Sequence, residues 1–334
     1  MHATGSAGAG TGVDLTGTPL PWDAELTAVW QECLTRAARD VPGHARPEPA
    51  GDPLLREEVA RRTGLPLDRL AVTGGIRAAA GAVLARARTV VVEQPTFADV
   101  PDALEARGVR VLRAPWHRMA ETAGHSDAAW VTPALRNPDG HVLDGETAAA
   151  LAAAFAGRDG VVWDTAFAWF AAPSAASATP VPAGVHVLGS LHKLVGPGAR
   201  LGWAVPATDE RDVRRALWLT APGPVWQRAW AYVLGTGVLD RLRDRLVAQL
   251  QAAVPAFLDA AGLPPGPAAP HLLLGVRDEA DALRLLDGEV RVGAGAAFHA
   301  PEPSIRVSLL GVDPAEARVA GDAVGRLLRV HGTA

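Results

Sequence analysis

The chain has 334 residues, 49% of them hydrophobic and 20% charged, which is ordinary globular composition spread over more length than one single-core domain needs. A net charge of −4 gives no electrostatic reason to expect nucleic acid or an anionic membrane as partner. Cys33 is the only cysteine, which excludes an intramolecular disulfide and suits a reducing compartment. The opening MHATGSAGAGTG lacks the basic start and apolar core of a secretory signal, and no apolar run approaches the ~18 residues of a membrane helix. A soluble, cytoplasmic protein is therefore expected.

In chain order, residues 1–12 are rich in Gly, Ala, Ser and Thr and read as disordered. VDLTGTPLPW follows as a short extended segment. Residues 23–39 carry a helical pattern, with Leu26, Val29, Trp30, Cys33 and Leu34 on one face. After the loop VPGHARPEPAGDP, the helix LLREEVARRTG closes on Gly64 as a C-cap would. From residue 70 strands alternate with helices: LAVTGG and IRAAAGAVLARA, then TVVVEQP and FADVPDALEARG, then VRVLRAP, AAWVTPA and a helix over about 145–157. GVVWDTAF and VHVLGSL complete the series and LGWAVP returns, an α/β pattern whose continuous Val-rich runs imply strands buried on both faces. A long amphipathic helix is expected from near Val225 to about Ala261. Beyond the break PPGPAAP come strand HLLLGV, helix DEADALRLLDG, strands VRVGAGAAF and SIRVSLLG, and a terminal helix from Pro314.

Against this background one stretch stands out, VLGSLHKLVGPGARLGWAVP. Its Lys193 is the only lysine of the chain. Arginine supplies positive charge everywhere else, and what lysine adds is a primary amine able to lose its proton and condense with an aldehyde. Ser190 stands three residues before it and Arg200 seven after, on a glycine-rich turn between two strands. Asn137, the only asparagine, lies in RNPDG, a sequence that is also a good β-turn. Asp164 ends the strand GVVWD, where burying a carboxylate is costly unless it is paired, although a turn or N-cap aspartate is the plainer alternative. Gly74 and Gly75 separate a strand from a helix N-terminus, a place suited to an anion.

S-x-x-K followed by P-G-x-R-x-G-W resembles the cofactor-lysine segment of the fold-type I pyridoxal-phosphate (PLP) enzymes, specifically the class I/II aminotransferase-like group. The resemblance runs through DLTGTP, AGDPLLRE, VTGG, EQPTF, NPDG, WDTAF and IRVSLLG in the family's order. It implies a large PLP domain over 39–235 with a central, mostly parallel sheet. A smaller α+β domain would come from both chain ends, 1–38 and 236–334. It further implies a homodimer, PLP as cofactor, and an α-amino acid or keto acid as substrate. Residue by residue, it implies that Lys193 is the Schiff-base lysine and proton carrier and that Asp164 pairs with the pyridine nitrogen. Asn137 would bond the ring oxygen, and Phe97 would stack on the ring or, on the plainer alternative, fill the core. Ser190, Arg200 and the backbone of Gly75 and Ile76 would hold the phosphate, while Arg306 and Gly17 would meet the substrate carboxylate.

The chain departs from the family where Phe167 and Arg46 stand at positions that usually carry tyrosines. Its only tyrosine, Tyr232, matches neither. His192, before the lysine, replaces a small hydroxyl residue and could relay protons or cap the turn. These departures leave three readings: transamination, another PLP reaction such as decarboxylation, elimination, cyclisation or amine oxidation, and a non-catalytic PLP-binding module. A dinucleotide oxidoreductase is disfavoured because no G-x-G-x-x-G opens a helix, and no metal is expected because the histidines are scattered.

Overall fold

The computed structural model describes residues 12–171 and 181–331, so the expectation for residues 1–12 lies outside the described residues apart from Gly12. In chain order the elements begin with β1 (Val13–Asp14), α1 (Ala24–Asp40) and α2 (Pro53–Thr63), then β2 (Ala71–Thr73), α3 (Ile76–Val83), β3 (Thr89–Glu93), α4 (Asp99–Glu105) and β4 (Arg110–Ala114). A short helix α5 (Trp116–Met119) leads to β5 (Ala128–Val131), α6 (Gly145–Ala154), β6 (Gly160–Asp164) and β7 (Val185–Ser190). After α7 (His192–Val195) come β8 (Gly202–Val205), α8 (Arg211–Thr220), α9 (Pro224–Gly235) and α10 (Val238–Ala261). The chain closes with β9 (His271–Gly275), α11 (Glu279–Leu286), β10 (Val290–Arg291), β11 (Gly293–Ala294), β12 (Ser304–Ser308) and α12 (Pro314–His331).

Two compact units result. The larger takes the described residues of 19–137 and 141–245, and the smaller those of 1–18, 138–140 and 246–334. The larger unit is built on a seven-stranded sheet of order β2-β8-β7-β6-β5-β3-β4, in which β8 alone runs antiparallel to its neighbours. All residues of β5, β6, β7 and β8 are buried, as the unbroken apolar runs required. Val90, Val92, Val162 and Leu188 pack against Ala79, Ala80 and Val83 of α3 and against Leu217 of α8. Each Val or Leu among these contributes roughly 1.5–3 kcal/mol by leaving water.

Registry places the chemistry. Asp164 pairs opposite Leu188, Ser190 opposite Gly202, and Gly202 opposite Thr73. The C-terminal ends of β2, β6 and β7 and the start of the antiparallel β8 therefore share one edge of the sheet, the edge where open α/β sheets bind ligands.

Capping follows the sequence closely. The Asp23 carboxylate accepts from Leu26 N at 2.7 Å to start α1, and Asp52 accepts from Leu55 N at 3.1 Å to start α2. Gly64 ends α2 in the left-handed conformation at φ 69°. Residues 19–38 and 236–245, expected with the small domain, fall in the larger unit. Their packing shows why: Trp30 of α1 meets Trp226 and Trp230 of α9, each with ring centroids 4.7 Å apart, and buried Arg62 of α2 bonds Asp240 of α10 at 2.9 Å.

Three expected elements differ. The single helix from Val225 to Ala261 is two, α9 and α10, broken where Gly237 turns at φ 74°. Helix α8 was not marked by the pattern, because its arginines obscure the apolar face that Leu217 buries. The strand expected over VRVGAGAAF is split. β10 pairs in parallel with β1, β11 pairs with β12, and Gly295–Phe298 forms a 3-10 turn.

In the smaller unit, β11, β12 and β9 form an antiparallel sheet. Ile305 and Val307 pack with Val254 and Phe257 of α10 and with Ala317, Ala320 and Val324 of α12. Gly321 lets α12 approach α10, since a Cβ there would stand 2.5 Å from the Phe257 carbonyl oxygen.

Candidate active site

The cleft at that sheet edge, of about 250 Å³, lies within the larger unit, and seven of the residues expected there line it: Gly75, Ile76, Phe97, Asp164, Ser190, Lys193 and Arg200. Lys193 sits in the single turn of α7, half-buried, with Nζ 4.9 Å from the centroid of the Phe97 ring and 5.1 Å from that of Phe167. Two aromatic faces thus confine the amine.

Asp164 is 7% exposed, and its Oδ1 accepts a hydrogen bond from Ala166 N at 2.9 Å. Burial pushes its carboxyl up to about 6, against the lowering influence of that N–H and of the Lys193 charge. A carboxylate held this way would gain from a cation placed beside it in the cleft.

The turn at α3 has an open face. Gly75 adopts φ 116°, closed to other residues, and a Cβ built there meets nothing within 4 Å. The first intrahelical bond of α3 is Ala79 N to Gly75 O at 3.0 Å, so the N–H groups of Ile76, Arg77 and Ala78 precede the ladder. The Gly75 N–H points at Thr73 Oγ1, 3.3 Å away. Arg200 holds a left-handed conformation at φ 46° and is exposed, and the Ser190 carbonyl is fixed by Trp169 Nε1 at 3.0 Å.

Asn137 is 5% exposed, just past the end of β5, and is not among the residues that line the cleft. Its Oδ1 is buried with no hydrogen-bond partner, an unsatisfied state that a bound group would relieve. Glu93, at the end of β3, is wholly buried and accepts from Thr132 N at 2.9 Å and Trp116 Nε1 at 2.5 Å. Burial pushes it up to about 7, opposed by Arg136, whose guanidinium lies 4.0 Å over the Trp116 ring.

Gly17 and Arg306 belong to the smaller unit and stand together there. The Arg306 Nη1 donates to the Thr16 carbonyl at 3.0 Å, and the guanidinium lies 4.6 Å over the Phe298 ring. Nε is buried without a partner, and burial pulls the group down to about 10. Gly17, at φ 76°, leaves room for it, since a Cβ would stand 2.9 Å from Nη1.

Residues that the motifs did not single out also line the cleft: Arg77, Asp99 and Trp130. Arg77 pairs with Asp99 at 2.7 Å. An arginine in the first turn of a helix that follows a glycine pair was the available signal for the first; Trp130 was hidden as one more apolar residue of β5. His192 lines the cleft as well, and burial followed by the Lys193 and Arg77 charges lowers its imidazole to about 4.

A seven-stranded mixed sheet with its cleft at the strand ends beside a lone lysine defines an α/β enzyme of the fold-type I class. The family model for aminotransferase class I and II matches residues 21–324, and the chain belongs to that family, whose members depend on PLP. Among solved structures, the chain is similar to LysN, the α-aminoadipate aminotransferase of Thermus thermophilus, complexed with N-(5'-phosphopyridoxyl)-L-leucine. Identity is 21% and the TM-score 0.75 over 95% of this chain and 92% of that one. A double mutant of T. thermophilus aspartate aminotransferase gives 22% identity and a TM-score of 0.74, covering 95% and 91%. An archaeal alanine:glyoxylate aminotransferase gives 20% and 0.76, also covering 95% and 91%. Likeness at these identities speaks to the fold. No curated protein matches the sequence.

Proposed function

We propose that this chain binds PLP through Lys193 and transfers the amino group of an α-amino acid. The observation that carries the reading is the convergence, in one cleft, of the single lysine, a buried carboxylate raised to about 6 and a glycine turn at a helix N-terminus. The residues suit the cofactor. Asp164 has the charge for a protonated ring nitrogen, and the NH2 group of the Asn137 amide can donate to the ring oxygen. Phe97 offers a ring face, and the N–H groups of α3 with Ser190 and Arg200 suit a phosphate. When bound, PLP supplies an aldehyde that condenses with amines and a cationic ring that draws electrons from the α-carbon.

The protein's part is to hold and to move protons. Lys193 Nζ, confined by Phe97 and Phe167, would take the proton from the substrate α-carbon and return it. Asp164 would keep the proton on the ring nitrogen. Arg306, a buried cation whose Nε lacks a partner, would receive the substrate carboxylate, with Gly17 giving it room. The test is borohydride reduction of the cofactor-loaded protein, peptide mapping, and incubation with single amino acids followed by keto-acid analysis. A pyridoxyl label on Lys193 with stoichiometric keto acid is expected; a label elsewhere or none refutes the reading.

A second reading, another PLP reaction on the same scaffold, draws on Phe167. Its ring lies 5.1 Å from Lys193 Nζ, and no hydroxyl is available at that position. Carbon dioxide, ammonia or peroxide released in place of keto acid plus aminated cofactor would select it. We also propose a homodimer, which light scattering of the loaded protein checks.

Among the described residues no helix is long and apolar enough to cross a membrane, and none of their His, Cys, Asp and Glu side chains cluster as a metal site would.

A further inference from the structure

The glycine turn of the cleft is short of side-chain donors. Gly74, Gly75 and Ile76 carry none, and the Gly75 N–H already faces Thr73 Oγ1. An anion placed there has the first-turn N–H groups of α3, and side-chain donors must come from the other walls. Ser190 and Arg200 were expected for this task. Two further groups line the same cleft. Arg77 leads out of the glycine turn but is partly committed to Asp99 at 2.7 Å, and His192 lies directly before the lysine. The charged groups that act on His192 come from three elements: Lys193 of its own turn and Arg77 of α3, which disfavour its cationic form, and Asp99 of α4, which favours it. Without an anion the imidazole is neutral, since burial and two neighbouring cations oppose a third charge.

We propose that His192 is an anion-responsive side chain of this site. When a phosphate anion occupies the turn of α3, the imidazole takes one proton from solvent and donates it in a hydrogen bond to a phosphate oxygen. The anion shifts the local balance, because it offsets the positive charge of Arg77 and Arg200 and adds attraction for a cation. Phosphate binding and protonation of one histidine are then linked, each favouring the other. For PLP as the phosphate carrier, the inference rests on the function proposed above.

Two measurements test it. In NMR, the His192 imidazole resonance, assigned by its loss in His192→Gln, is expected to titrate near pH 4 without ligand. Saturating inorganic phosphate is expected to move that midpoint upward by about one pH unit or more. A midpoint that stays in place, or phosphate that does not bind, overturns the proposal. In the second measurement, the affinities of PLP and of unphosphorylated pyridoxal are compared at neutral pH by tryptophan fluorescence. His192→Gln is expected to lower the preference for PLP about tenfold while leaving pyridoxal binding unchanged. Equal losses for both ligands mean a structural histidine and refute the role. The phosphate titration needs no covalent chemistry, so an absent label on Lys193 would end the function reading and leave this result standing.

Discussion

Two carboxylates at the ends of strands in the same sheet, Asp164 on β6 and Glu93 on β3, are buried and carry raised pKa values, yet their surroundings differ. Glu93 is enclosed by protein donors, Thr132 N–H and Trp116 Nε1–H, with Arg136 nearby. Asp164 has the Ala166 N–H on one side and a cleft with Lys193 on the other. A raised pKa therefore does not distinguish a structural acid from a working one; what distinguishes them is whether the missing cation has room to arrive from outside. The same contrast marks Arg306, a buried guanidinium whose Nε lacks a partner, against Arg62, equally buried but paired with Glu58 and Asp240.

The largest effect expected from the comparison is at the cleft. Lys193→Ala removes the amine, and turnover should fall by on the order of 10⁴-fold with complete loss of the reducible label, measured by keto-acid formation and peptide mapping. Next come the two acids. Asp164→Asn removes a buried charge whose desolvation outweighs its partners, so the cofactor-free variant should be more stable than wild type above pH ~7, by about 3 kcal/mol in urea unfolding. The sign follows from the raised pKa: the folded protein holds the proton more tightly than the unfolded chain. That contribution is present below pH 3.8 and is lost as pH rises through about 6, so the two proteins should converge in acid. PLP should remove the difference in wild type by pairing the charge, and should bind the variant more weakly. Glu93→Gln should behave oppositely, costing about 1–3 kcal/mol with or without PLP, because the two donors meet different carboxylate oxygens and the amide would turn its NH2 group towards one of them. If Glu93→Gln were stabilising and sensitive to PLP, the division between enclosed and open acids would be wrong.

That division was only half legible in the sequence. Lys193, Asp164, Asn137 and Arg306 announced themselves by rarity or by being polar within apolar runs, and the alternation of strands and helices gave the sheet. Glu93 sits in a run, TVVVEQP, that resembles WDTAF in pattern, and nothing local says that one acid is enclosed and the other exposed to a cleft. That depends on Trp116 and Thr132, 23 and 39 residues away. Asp99 and Arg77 likewise became site residues only through a pairing across 22 positions. Single-residue propensity also could not show that α1 joins the larger unit, since the indole contacts of Trp30 with α9 are tertiary.

The smallest effect belongs to the smaller unit and asks whether Gly17 is there for backbone or for space. Gly17→Ala adds a methyl group at φ 76°, where L residues are strained, and directs it to 2.9 Å from Arg306 Nη1. Backbone strain alone should cost about 1–2 kcal/mol in unfolding and leave the guanidinium in place. Displacement of the guanidinium would instead raise KM for the amino acid while kcat changes little, since a carboxylate contact made equally in ground and transition states affects binding alone. Gly17→Asn separates the two, because asparagine tolerates the left-handed backbone better than alanine but projects more bulk toward Arg306. A KM that rises further in the asparagine variant while stability partly recovers would assign Gly17 to the guanidinium; stability and KM recovering together would assign it to the turn.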